Sequence, residues 1–95
     1  MSMKKAYEQK LQVQLDEWRA EIDRLKAKAD SAKADAQIEY YKDIEELRSM
    51  QEAAANKLAQ LKNVSDEAWD DLKAGIDSAW DALGNALKSA ASRFK

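Results

Sequence analysis

The sequence predicts an all-α protein, and three observations carry that prediction. The 95 residues contain no proline and only two glycines, Gly75 and Gly84. Apolar residues recur at alternating three- and four-residue spacing from Leu11 onward, the period of a helix that buries one face. The last third of the chain also repeats itself. AWDDLKAGIDS (68–78) is followed by AWDALGNALKS (79–89), with identical residues at Ala68/Ala79, Trp69/Trp80, Asp70/Asp81, Leu72/Leu83 and Ser78/Ser89. Eleven residues is close to three helical turns, so the repeat returns each side chain to nearly the same face.

The first element is expected to be one long helix over about residues 3–62. Leu11, Trp18, Leu25 and Ala32 form one class of its heptad seam, and Leu15, Ile22, Ala29 and Ala36 form the other. The seam changes phase through Tyr40 and Ile44, then resumes at Leu47, Gln51, Ala54, Leu58 and Leu61. No glycine or proline accompanies the jump, so it reads as a discontinuity inside one helix. Acid-to-base pairs three residues apart support continuity: Asp16–Arg19, Glu21–Arg24, Asp23–Lys26, Asp30–Lys33, Glu39–Lys42 and Glu45–Arg48. Each such pair is worth about 0.2–0.5 kcal/mol.

A turn follows at 63–65. Asn63 suits the left-handed conformation that ends a helix, and Ser65 suits an N-cap. Val64 and Trp69 are then spaced as a hydrophobic staple. The last helix is expected over about 66–93. Its acids lie early, at residues 66–81, and its bases late, at Lys88, Arg93 and Lys95, as the helix dipole favours. Trp69, Leu72, Ile76, Trp80, Leu83, Leu87 and Phe94 share one face of it, read as a packing face. Gly75 and Gly84 each cost about 1 kcal/mol relative to alanine. Close approach of a neighbouring backbone would explain their presence, and so would simple drift.

Helix lengths then constrain assembly. A helix over 3–62 spans about 90 Å and one over 66–93 about 42 Å. Folded as a hairpin, the short helix leaves the apolar face of residues 7–32 uncovered. The expected solution is a homo-oligomer. An antiparallel dimer would cross at Ala29, Ala32 and Ala36, where small side chains allow close approach. A monomeric three-helix bundle, broken near Asp30-Ser31, is the alternative.

Composition removes several function classes. The chain has no cysteine or histidine, which excludes thiol chemistry, histidine acid–base chemistry and a Glu-x-x-His di-metal site. The net charge of −2 is not that of a nucleic-acid binder. No glycine-rich phosphate loop or nucleophile elbow occurs. Asp66, Glu67, Asp70 and Asp71 cluster, but capping and a solvated face account for them better than a Mg²⁺ or Ca²⁺ site. No catalytic, cofactor or metal residues are assigned. Of Tyr40 and Tyr41, one is expected in the seam and the other on a flank. The N-terminal MSMKKAYEQK lacks an apolar stretch of signal-peptide type, and no apolar run approaches the roughly 20 residues of a membrane span, so a cytoplasmic location is expected.

Two stretches, LDEWRAEIDRLKAKADSAKADAQIEYYKDIEELR (15–48) and SDEAWDDLKAGIDSAWDALGNALKSAASRFK (65–95), resemble a group of small bacterial coiled-coil proteins of the stress-response type, including cyanobacterial ones associated with high light. The resemblance implies an elongated helical protein with a stress connection and supplies no site residues. The expected function is that of a non-enzymatic structural or protein-interaction protein. Two alternatives accompany it: a peripheral lipid-binding protein using the tryptophan face, and an accessory subunit of a larger complex.

Overall fold

In the computed structural model, which describes residues 2–94, the chain forms three helices and, among those residues, no strand. Helix α1 spans Met3–Asp30, α2 spans Ala34–Lys62 and α3 spans Trp69–Arg93. They pack up-down-up into a rod with principal extents of 51 × 19 × 18 Å. Helices of 28, 29 and 25 residues have nearly equal lengths, so each can cover the others end to end.

The long helix expected over 3–62 does not form; the chain reverses at Ser31–Lys33. Ser31 ends α1 with φ −93° and ψ −3°, and Lys33 is extended at φ −65° and ψ 152°. The Gln37 side-chain amide donates to the carbonyls of Ala29 at 3.1 Å and Asp30 at 3.2 Å, supplying donors for acceptors that the ended helix leaves free. Tyr41 Oη donates to Asp30 Oδ1 at 2.6 Å, and Lys26 Nζ donates to the same carboxylate at 3.0 Å. The phase jump at Tyr40 and Ile44 is therefore the mark of a new helix meeting the core on its own register. Ala32 lies in the turn and Ala36 is half-buried in the first turns of α2, so neither serves the expected crossing of two long helices.

The reversal changes what covers the first seam. Leu11, Leu15, Ile22, Leu25 and Ala29 are at most 5% exposed within the single chain. The face of residues 7–32 that would have demanded a second chain is closed by α2 and α3. Ile44, Leu47, Ala54, Leu58 and Leu61 supply the α2 side of the core, and Ile76, Trp80, Leu83, Leu87, Ala90 and Phe94 the α3 side. Trp69, Leu72 and Trp18 are half-buried at its edge.

The second junction is longer than the expected 63–65. Asn63 stays right-handed at φ −95°, and no described residue has a positive φ. Ser65 Oγ accepts from the Ala68 N–H at 3.2 Å, but this closes a turn that precedes the helix, and α3 begins at Trp69. Val64 and Trp69 both pack on the core. Of the six expected acid–base pairs, Glu21–Arg24 at 3.9 Å is the one present among the described residues. Asp23 instead takes Arg48 of α2 at 3.1 Å, and Asp30 takes Lys26. A partner on a neighbouring helix or one full turn away wins over the three-residue spacing.

Candidate interaction site on the α1–α3 face

Helices α1 and α3 run parallel, and the seam between them is closed at one end only. At the start, the Tyr7 ring lies 5.5 Å from that of Trp69, and Tyr7 Oη donates to the Asp77 carboxylate. The Lys73 carbonyl lies 3.4 Å from the same hydroxyl, and Lys73 Nζ sits 5.7 Å from the ring centroid. Burial holds the Tyr7 hydroxyl well above its ordinary pKa, and the hydrogen bond to Asp77 adds to the effect.

Further along, the seam opens into a groove of about 390 Å³. The half-buried Trp18 ring packs on Gly84, where a Cβ would come within 3.2 Å of it, and both line the groove. Trp80 and Leu87 lie beneath, and Ala91 and Asn85 stand at the rim. A second hollow of about 160 Å³, lined by Leu25, Arg24 and Lys28, shares Glu21 and Ala91 with the first, so the two make one trough. The Trp80 side chain is buried with no acceptor for its Nε1 among the described residues. A buried donor without a partner costs about 1–3 kcal/mol.

The charges of this face are mixed along its length: Lys73 and Asp77 are exposed at the Tyr7 end, and Glu17, Glu21, Asp81, Arg24, Lys28 and Lys88 further along. Among these residues, the long Glu21–Arg24 contact is the one ion pair within the described chain.

The other candidates resolve differently. Trp80 and Phe94, which a lipid-binding face would need outside, are each 3% exposed. Asp66, Glu67, Asp70 and Asp71 are exposed on the α3 approach, and no group of three or more acidic residues among the described ones is disposed to hold a metal ion. Tyr40 stacks on Phe94 with centroids 4.2 Å apart, whereas Tyr41 is exposed, one in the seam and one on a flank as expected. The hydrogen bond to Asp30 raises the Tyr41 pKa, and the bonds from Tyr41 and then Lys26 lower that of Asp30. No described helix is long and apolar enough to cross a membrane.

Sequence reasoning placed Trp18 in a seam but missed its pairing with Gly84. The available signal was a glycine on the tryptophan-bearing helix that no turn required. Compared with family models, curated proteins and solved structures, the chain matches none.

Proposed function

We propose that this protein is a non-enzymatic interaction module, a small helical bundle that presents its α1–α3 face to other protein surface. The single observation that carries this reading is the trough at Trp18 and Gly84. It sets a half-buried tryptophan, packed on the edge of the core, in an open and partly apolar recess. Tryptophan in such a position is the residue type most enriched at the energetic centres of protein interfaces. The trough is bounded by both acidic and basic side chains, which suits recognition of a protein surface of mixed charge. The proposal includes a stress-related role in the cytoplasm, by itself or as an accessory subunit, on the resemblance of residues 15–48 and 65–95 to small stress-response proteins.

The test is site-specific photocrosslinking in native extract. A photoreactive side chain replacing exposed Asn85 at the trough is expected to give discrete adducts. The same group replacing exposed Ala53 on α2 is expected to give none. Absence of adducts from position 85, or equal adducts from both positions, overturns the reading. The lipid alternative needs Trp80 and Phe94 released from the core. Flotation with vesicles of anionic and neutral lipid would then bind protein and expose its indoles, an outcome that replaces the interaction reading with the membrane one.

A further inference from the structure

We infer that this chain has a second state, a dimer in which α1 and α2 join into one continuous helix and two copies exchange their α1 helices. The α1–α2 reversal is a short hinge. It spans Ser31–Lys33 and contains neither of the chain's glycines and no proline. Ser31 is already right-handed, and Lys33, at φ −65° and ψ 152°, departs from helical values in ψ alone. Ala27, Ala29, Ala32, Ala34 and Ala36 favour helix across the segment. Lys33 gives α2 no side-chain cap, so the first N–H groups of α2 lack that partner. In a continuous helix, the Ala29 and Asp30 carbonyls now served by the Gln37 amide would accept from the backbone N–H groups of Lys33 and Ala34. Short hinges between packed elements favour exchange of those elements between copies.

The buried stripes of α1 and α2 line up in such a helix. With residues 3–62 drawn straight at 3.6 residues per turn, Leu11, Leu15, Ile22, Leu25 and Ala29 centre within about 10° of Ile44, Leu47, Ala54, Leu58 and Leu61. The phase jump at Tyr40 and Ile44 brings them together. A straight helix drifts about 20° per heptad against a strict seven-residue repeat, so over the roughly five heptads between the two stripes it drifts by about one residue, which is the size of the jump. Two such helices, related by a two-fold axis, run antiparallel, and α1 of each copy lies on α2 and α3 of the other. Each half is the bundle already described, with Asp23–Arg48, Tyr7–Asp77 and Trp18–Gly84 re-formed between copies. New contact is confined to the axis, where Ala32 and Ala36 of one copy face those of the second and their small side chains allow close approach. The antiparallel dimer expected from helix lengths thus returns as an exchanged form of the closed chain. The trough re-forms as well, so exchange is independent of what binds there. In dilute solution the closed chain wins, because α1 meets its own α2 at an effective concentration on the order of millimolar. Undocking α1 uncovers the core, so the two forms interconvert slowly and are separable.

The test is refolding from urea at about 10 μM and at about 2 mM, on either side of that effective concentration, followed by size exclusion with light scattering. The wild type is expected to give one-chain mass from the dilute sample and an additional two-chain peak from the concentrated one. Ala34→Pro separates exchange from other association. Position 34 opens α2 and follows an extended residue, where proline fits the turn, whereas the interior of a continuous helix excludes it. This variant is expected to keep one-chain mass at both concentrations, with a thermal midpoint no lower than that of the wild type. Gln37→Ala removes bonds that only the turn makes and is expected to lower the concentration of half-exchange about tenfold. The continuous helix is read by spin labels at Gln9→Cys and Lys62→Cys, two exposed positions in a chain with no other cysteine, with the labelled chain diluted into unlabelled chains before refolding. The two sites line one hollow in the closed chain and would stand about 80 Å apart in the continuous helix, so the short distance is expected to vanish from the two-chain peak. A wild type at one-chain mass in both samples overturns the inference. So does a two-chain peak from Ala34→Pro as large as that of the wild type, or a two-chain peak that keeps the short distance. Crosslinking from position 85 is read separately: its loss beside a two-chain peak with the long distance leaves exchange standing and removes only the interaction reading.

Discussion

The two ends of α3 are tied down by the same device applied to different neighbours. At its start, Tyr7 of α1 packs on Trp69 and bonds to Asp77. At its end, Tyr40 of α2 stacks on Phe94, its hydroxyl lies 3.3 Å from the Arg93 carbonyl, and Arg93 pairs with Asp43 at 3.0 Å. The α1–α3 seam is therefore clamped at the Tyr7 end and the α2–α3 seam at the Tyr40 end. Beyond the reach of Tyr7, no aromatic hydroxyl bridges the α1–α3 seam among the described residues; Trp18 packs on Gly84 at its surface, and the trough opens beside that contact. The lesson is that a parallel pair of helices joined only through a third is closed where a long aromatic side chain bridges it, and otherwise parts enough to leave a groove.

The largest effect should come from the shared middle. Trp80→Ala is expected to cost about 3–5 kcal/mol. Urea unfolding followed by circular dichroism should show one transition at lower denaturant. If amides near Tyr7 lost protection while those near Tyr40 kept it, the two clamps would belong to separate cooperative units and not to a common core.

The glycines come next and should differ in sign. Gly84→Leu adds bulk against the Trp18 ring and is expected to cost about 1–3 kcal/mol, with a shift in indole emission. Gly75 has nothing within 4 Å of where a Cβ would stand, so Gly75→Ala is expected to stabilise by about 1 kcal/mol. Equal shifts in midpoint for both variants would show that Gly84 is not reserved for Trp18.

Smaller effects separate the clamps themselves. Tyr7→Phe removes a bond to a carboxylate and should cost about 1 kcal/mol; Tyr40→Phe removes a longer bond to a carbonyl and should cost about 0.5 kcal/mol. Hydrogen exchange should place the first loss near the Trp69 end of α3 and the second near the Arg93 end. The Tyr7 clamp also predicts a pH dependence. Its folded pKa lies above the ordinary value of 10.0, so the folded chain holds this proton more tightly than the unfolded one. Stability from this group is fully present below pH 10 and is lost as pH rises toward the folded value. Lysines titrate in the same range, so the diagnostic is the difference between wild type and Tyr7→Phe, which should narrow as pH climbs above 10. A constant difference would mean that the proton is not held by the fold.

The smallest effect lies at the α1–α2 reversal. The folded pKa of Asp30 is below its ordinary 3.8, so its contribution is present above that value and lost as pH falls through the folded one. Asp30→Asn should flatten this acid limb slightly, as measured by thermal midpoints between neutral and strongly acid pH.

Much of α3 was legible in the sequence. Ile76, Trp80, Leu83, Leu87 and Phe94 are all buried, because helical periodicity alone decides which face is apolar. The same holds for Leu11, Leu15, Ile22 and Leu25 of α1. The reversal at Ser31–Lys33 was not settled by sequence. Its hydrogen bonds come from Gln37 and Tyr41, seven to eleven residues from their acceptors, and no proline or glycine marks the site. The candidate site was still less legible. The Trp18–Gly84 contact joins residues far apart in the chain, and only the three-dimensional path brings them together.

The sequence by itself therefore determined the helical class, the buried stripes and the ordering of charge along α3, because these follow from local periodicity and from residue type. Tertiary structure decided that the first sixty residues form two helices, that the chain covers its own first seam, and that one face is left open. Those outcomes depend on competition between a continuous helix and the burial gained by folding back, and long-range packing resolves that competition.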